Sequence, residues 1–90
     1  MTEPEADRRK RLAMRAWRRG TKEMDLILGP YGDAHLAGMD ATALQLFDAL
    51  LLEADPDLLT WVLGQTAPPD RFAPLVAEIG AFARARLQKV

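Results

Sequence analysis

The chain has 90 residues, no cysteine and one histidine, and its 12 lysines and arginines against 13 aspartates and glutamates leave a formal net charge of −1. A chain of this length makes one small domain that buries roughly 60–65% of its extended surface; without cysteine there is no disulfide frame or thiolate metal site, so a packed apolar core must hold the fold. No apolar run approaches the roughly 18 residues of a membrane span, and residues 2–7 are acidic where a secretory or mitochondrial targeting segment would be basic or acid-poor. The expectation is a cytoplasmic protein with no membrane insertion.

Charge is unevenly placed along the chain. Arg8 to Lys22 contains eight cations and no acid, whereas Glu23 to Ala83 contains ten acids against Arg71 alone. Such a dipolar chain suits a partner with patches of both signs better than a uniformly anionic polymer. Cations at helical spacing (Arg8, Arg11, Arg15, Arg18, Lys22) could follow a phosphate backbone. The acidic remainder would repel nucleic acid, however, and a solvated helix face beside an acidic neighbour is the simpler reading, so no nucleic-acid partner is expected.

In chain order, residues 1–7 read as a flexible N-terminus ending in a cap at Asp7, and residues 8–90 as a single helical-bundle domain. Arg8 to Arg19 lacks a breaker and predicts an amphipathic helix with a basic solvent face. Gly20 ends that helix or forms the corner after it. Thr21 to Leu28 predicts a second helix with Met24, Ile27 and Leu28 on one face, broken or kinked by Gly29-Pro30-Tyr31-Gly32. Asp33 to Gly38 reads as a connector in which His35 is a solvated loop residue. Asp40 is a good N-cap for a third helix to about Ala54, with Leu44, Phe47, Leu50 and Leu51 as its core stripe and Leu46 and Leu52 broadening it. Asp55 as N-cap and Pro56 at the first helical position open a fourth, whose Leu58, Leu59, Trp61, Val62 and Leu63 are apolar nearly all round and predict the most buried element. Gly64 to Pro69 is a terminator, and Asp70 opens a last helix weakened by Pro74 and Gly80 and ending in a basic tail. No segment alternates as a strand does, so the fold class is all-α, a bundle of about five short helices.

Enzymatic chemistry is poorly supplied. One histidine, no cysteine and scattered hydroxyls offer no nucleophile–base pair at a useful spacing, the acids are not clustered as metal ligands, and the phosphate-loop and dinucleotide glycine patterns are absent. The expectation is a protein that is not an enzyme, with no catalytic residue, no metal site and no cofactor held by this chain.

One stretch is organised differently. At Arg18-Arg19-Gly20-Thr21-Lys22-Glu23-Met24-Asp25 the charge changes sign across a glycine. Glu23 lies three residues after Gly20, from where a carboxylate can reach back to an N-cap amide, and Arg19 can decorate a helix C-terminus. The same features can make a docking surface: room at Gly20, a planar fork at Arg19, and an acidic edge at Glu23 and Asp25. The string resembles the Arg-Gly-x-x-Glu-x-Asp signature of the succinate dehydrogenase flavinylation factors. Leu44 through Phe47 to Leu50-Leu51, and Asp55-Pro56-Asp57-Leu58 with Trp61, are similar to that family in order and spacing, so the resemblance covers about residues 8–69.

What the resemblance implies is an assembly factor that binds the immature flavoprotein subunit of succinate dehydrogenase, with fumarate reductase as a further candidate client. It would hold that subunit so that the subunit's own histidine attacks the 8α-methyl carbon of its FAD. Arg19, Gly20, Glu23 and Asp25 carry over as the partner-binding residues, FAD belongs to the partner, and Phe47, Leu50, Leu51 and Trp61 are core. An antitoxin-like or adaptor module using the same face, and a flavin-binding carrier, are the alternatives.

Overall fold

Capping residues and apolar stripes divide the chain into five α-helices: α1 (Glu5–Ala16), α2 (Lys22–His35), α3 (Ala41–Leu51), α4 (Asp55–Val62) and α5 (Ala73–Gln88). The computed structural model describes residues 3–88, and among these there is no strand; short 3-10 turns at Leu36–Gly38 and Asp70–Phe72 lead into α3 and α5. α1 packs on α2 and α3, α2 on α5, and α4 on α5.

The boundaries depart from the sequence expectations in informative ways. α1 starts at Glu5, not after an Asp7 cap: Pro4 precedes it with φ −57°, and Glu5 and Asp7 both lie in its first turn, where carboxylates favour the positive end of the helix dipole. It ends at Ala16 with Trp17 as C-cap, so Gly20 does not terminate it but stands at the corner beyond. The predicted break at Gly29-Pro30-Tyr31-Gly32 is absent. α2 runs through Pro30 to His35, and all four residues are buried. A proline inside a helix removes one hydrogen bond and costs about 3 kcal/mol in isolation. Burial of Leu28 and Tyr31 on either side of it offsets that loss, at roughly 1.5–3 kcal/mol for each large apolar side chain.

Gly29 is helical because a neighbour needs the space. The Trp17 indole lies flat over it, and a Cβ built there would stand 2.3 Å from the ring. Trp17 also donates its indole N–H to Asp33 Oδ2 at 3.1 Å, which ties the end of α1 to the outer face of α2. Gly29→Ala is therefore expected to displace the indole, cost about 2 kcal/mol and shift tryptophan emission to the red. Unchanged emission and melting temperature would refute this account of the α1–α2 contact.

α4 also differs from expectation. Ala54 is its N-cap and Asp55 its first residue, one position earlier than a cap at Asp55 requires. It is not the most buried element either: Leu58 and Val62 are buried, but Leu63 is exposed, as is Leu52 just after α3. Its C-terminus closes with Gly64 at φ +77°, Gln65 N–H on Thr60 O at 2.8 Å and Gly64 N–H on Trp61 O at 3.1 Å, the paired bonds that satisfy the last carbonyls of a helix. α5 begins at Ala73 with Pro74 in its first turn and continues through Gly80, where the Val62 carbonyl of α4 comes close. Arg84 and Arg86 of the basic tail lie on α5; Lys89 is outside the described residues.

The core draws on every helix: Leu12 and Ala16, Met24, Leu28 and Tyr31, Leu44, Phe47, Leu50 and Leu51, Leu58 and Val62, and Leu75, Val76 and Ile79, with Leu36 and Phe72 from the two turns. Phe47, Leu50 and Leu51 are core as expected, and Trp61 is partly buried against Phe72. His35 is not in a solvated loop. It ends α2 half-buried, stacked on Tyr31 with centroids 4.3 Å apart and edge-on to Phe82.

Candidate functional site: the corner between the first two helices

The corner is built by backbone geometry first. After α1 the chain passes through Arg18 and Arg19 to Gly20 at φ +99°, a conformation that side chains disfavour. Nothing lies within 4 Å of where a Gly20 Cβ would sit, so the outer side of the corner is open. Thr21, extended at φ −125° and ψ 141°, caps α2 by accepting the Met24 amide at 3.4 Å. Asp25, one turn into α2, reaches back and accepts the Arg19 amide N–H at 2.6 Å. The reach-back expected of Glu23 to the cap amide is not made; the cap is Thr21, and Asp25 instead bonds the amide two residues before it.

Arg19 turns inward. Its Nε donates to Asp55 Oδ1 at 2.9 Å, its Nη1 to Leu51 O at 2.5 Å and its Nη2 to Glu53 O at 2.9 Å. Leu51 is the last residue of α3, so its carbonyl has no partner within the helix, and a cation there is favoured by the helix dipole as well. The side chains of Arg19 and Asp55 are only 10% and 14% exposed. A planar fork that meets one carboxylate and two carbonyls at once is a task for arginine and not for lysine. The corner between α1 and α2 is thereby pinned to the corner between α3 and α4.

The four residues singled out from the sequence therefore separate into two pairs. Arg19 and Asp25 are engaged inside the fold and hold the corner in place. Gly20 and Glu23 remain on its outside, and among the described residues Glu23 makes no side-chain hydrogen bond or ion pair. Sequence reasoning did not identify Asp55 as the partner of Arg19. The signal was an acid opening α4 in a chain whose basic segment needs counter-charges, but pairing across 36 residues is not readable from spacing.

The same logic governs the rest of α1, whose basic face is largely paired and not simply solvated. Arg9 donates to Leu36 O at 3.0 Å and Met39 O at 2.6 Å, closing the turn between α2 and α3. Arg11 sits between Glu3 and Asp48, at 2.9 Å from each, and Arg15 also reaches Asp48 at 3.6 Å. The Arg11 hydrogen bonds hold both carboxyls below the usual carboxylate range. Their charged forms are therefore favoured in the folded state, so the stability they add is present above the ordinary carboxylate pKa near 4 and is lost as pH falls through the lowered folded values. Asp48→Asn is expected to lower stability at neutral pH and to converge with the parent as pH falls through the lowered carboxylate values, which flattens the acid limb of a stability-versus-pH curve; an unaltered acid limb would exclude this triad as a source of acid sensitivity.

Tyr31 donates its hydroxyl to Glu78 Oε2 at 2.8 Å, and burial followed by this bond raises its pKa. Among the described residues, no group of three or more histidine, aspartate or glutamate side chains could hold a metal ion, and no helix is long and apolar enough to cross a membrane.

Fold and corner together define a small helical domain organised around one rigid, charged turn. A family model described as the flavinator of succinate dehydrogenase matches residues 10–83, and the chain belongs to that family. The match continues past residue 69, where the resemblance in the sequence was expected to fade, into most of α5. The chain is 36% identical over 84 residues to succinate dehydrogenase assembly factor 2, mitochondrial, of Cryptococcus neoformans, covering 91% of this chain and 48% of that protein. It is 33% identical over 82 residues to the FAD assembly factor SdhE of Acetobacter pasteurianus, covering 90% and 75%. With the corresponding protein of Aliivibrio fischeri it shares 41% identity over 49 residues, covering 54% and 57%. The chain spans about half the length of the mitochondrial relatives it matches and three quarters of the Acetobacter protein.

Proposed function

We propose that this protein is a cytoplasmic assembly factor that binds the flavoprotein subunit of succinate dehydrogenase before its flavin is attached, and promotes covalent FAD attachment there. The observation that carries the reading is the corner. Gly20 and Glu23 are presented in one direction by a turn that Arg19 and Asp25 lock from within. Preorganisation of this kind lowers the entropy lost on binding. Membership of the flavinator family supports the choice of partner over an antitoxin-like or adaptor role.

The reacting groups belong to the partner. The partner's histidine would attack the 8α-methyl carbon of its own FAD, and the flavin ring, held by the partner, would supply the electron-accepting chemistry. This chain holds the partner in the geometry that favours the attack and contributes no nucleophile, consistent with proximity and orientation as its means of acceleration. FAD is bound by the partner in this scheme.

Co-expression of the flavoprotein subunit with and without this chain, read by flavin fluorescence in a denaturing gel, tests the proposal. Covalent flavin is expected to rise severalfold when the chain is present. Equal fluorescence in both arms would reject the function, and a yellow chain with a band near 450 nm when purified alone would favour a flavin carrier instead.

A further inference from the structure

We propose that the docking surface continues from the corner into the groove between α1 and the α3–α4 turn, and that this groove receives a short segment of the flavoprotein subunit bearing an apolar side chain next to a carboxylate. The inference rests on the reading of the partner given above. The groove has a volume of ≈ 530 Å³, and its lining includes Met14, Arg18, Arg19, Leu52 and Glu53.

Its walls are apolar at the rim. Met14 is 54% exposed on α1 and Leu52 is 70% exposed just past α3, although neighbours on the same helices, Leu12, Leu50 and Leu51, are almost completely buried. The fold thus had apolar side chains to spare beside its core and left two of them facing one concavity. Large apolar side chains grouped at a concave, polar-edged surface mark an interaction site more than scattered singles do. The floor is polar and largely engaged within the fold, since Arg19 donates from Nε, Nη1 and Nη2 to Asp55, Leu51 O and Glu53 O.

Charge selects the other half of the ligand. The lining carries three guanidiniums, Arg15, Arg18 and Arg19, against two carboxylates, Glu53 and Asp55. Arg19 is matched by Asp55, and Arg15 shares Asp48 with Arg11. Arg18 is exposed and makes no ion pair among the described residues. A single carboxylate on the incoming segment can meet the exposed Arg18 while staying clear of Glu53, whereas a phosphate polymer, with charge along its whole length, would also meet Glu53 and two apolar rims. Arg18 also adjoins Arg19 and Gly20 in sequence, so one partner surface can span the groove and the corner.

The test titrates the flavoprotein subunit, purified before covalent flavin attachment, with the full-length chain and with Leu52→Glu, Arg18→Glu and Glu23→Arg variants, alongside thermal melts of each. Leu52→Glu and Arg18→Glu are each expected to weaken binding about tenfold or more with melting temperatures close to the parent's. If both bind within twofold of the parent while Glu23→Arg is impaired, the groove is overturned and the assembly-factor reading stands. If the parent chain binds no flavoprotein subunit, that reading falls and the groove inference with it. Sedimentation of the parent chain as a dimer that Leu52→Glu dissociates would assign the groove to a second copy and overturn the proposal. A photo-crosslinking residue at position 52 is expected to label a partner peptide that contains an acid next to an apolar residue; a labelled peptide without an acid overturns the charge argument.

Discussion

Replacing Arg19 with alanine is expected to destabilise the domain by about 3 kcal/mol or more, the cost of breaking a largely buried ion pair by removing one partner. For a chain of this size that corresponds to a fall in melting temperature of roughly 12–24 °C. The loss has named sources: Asp55 loses the cation it is bonded to, and the carbonyls of Leu51 and Glu53 lose their donors. Arg19→Lys retains the charge but not the fork, so it is expected to recover only part of the difference. Circular dichroism melts of both variants decide the matter. If Arg19→Ala melts within about 3 °C of the parent, the internal bonds are not what holds the corner, and Arg19 returns to being a surface contact.

The second large effect is on function and leaves the fold alone. Glu23→Arg reverses the charge of an exposed side chain with no internal partner, so its stability is expected to fall by only about 1 kcal/mol, the effect of a cation in the first turn of α2. Covalent flavin on a co-expressed flavoprotein subunit is expected to fall at least about tenfold, as for a charge reversal at a binding hot spot. Full flavinylation by Glu23→Arg would remove the outer face of the corner from the interface. Gly20→Arg is a less clean probe than the sequence suggests. At φ +99° any side chain costs about 1–2 kcal/mol of backbone strain, so bulk and strain change together. Gly20→Ala separates them: it carries the strain without the bulk, and is expected to melt lower yet still support flavin attachment.

These two substitutions act on residues that look equivalent in the sequence. Arg19, Gly20, Glu23 and Asp25 stand together within seven positions. What separates them is which polar groups the fold brings to each. Glu23 is the second residue of α2 and is exposed, while Asp25, two residues on, meets the Arg19 amide, and the Arg19 guanidinium meets Asp55 and two carbonyls.

Local signals were sufficient for much of the fold. Asp40 caps α3 through the Ala43 amide at 2.8 Å, and the Leu44–Phe47–Leu50–Leu51 stripe is buried, as their spacing predicts. Pro74 sits in the first turn of α5 and Gly64 closes α4. Those outcomes depend on hydrogen bonds and side chains a few residues apart, which is the range over which spacing carries information. The continuous α2 was not legible, because a Gly-Pro pair reads as a break unless burial on both sides outweighs it, and burial is a property of the assembled helices.

By itself, then, the sequence determined an all-α domain with a basic first helix, an acidic remainder and a charge-reversing turn that resembles the flavinator signature. Helical periodicity, caps and net charge are local sums, and they survive any arrangement of the helices. Tertiary structure alone decided which charges are spent and which are offered. Arg9, Arg11 and Arg19 find Leu36, Asp48 and Asp55 only once α1 lies against the later turns. The physical reason is that long side chains pair with whatever polar group packing brings within about 3 Å. The part of the turn left for a partner is what remains after that pairing, the outer edge at Gly20 and Glu23.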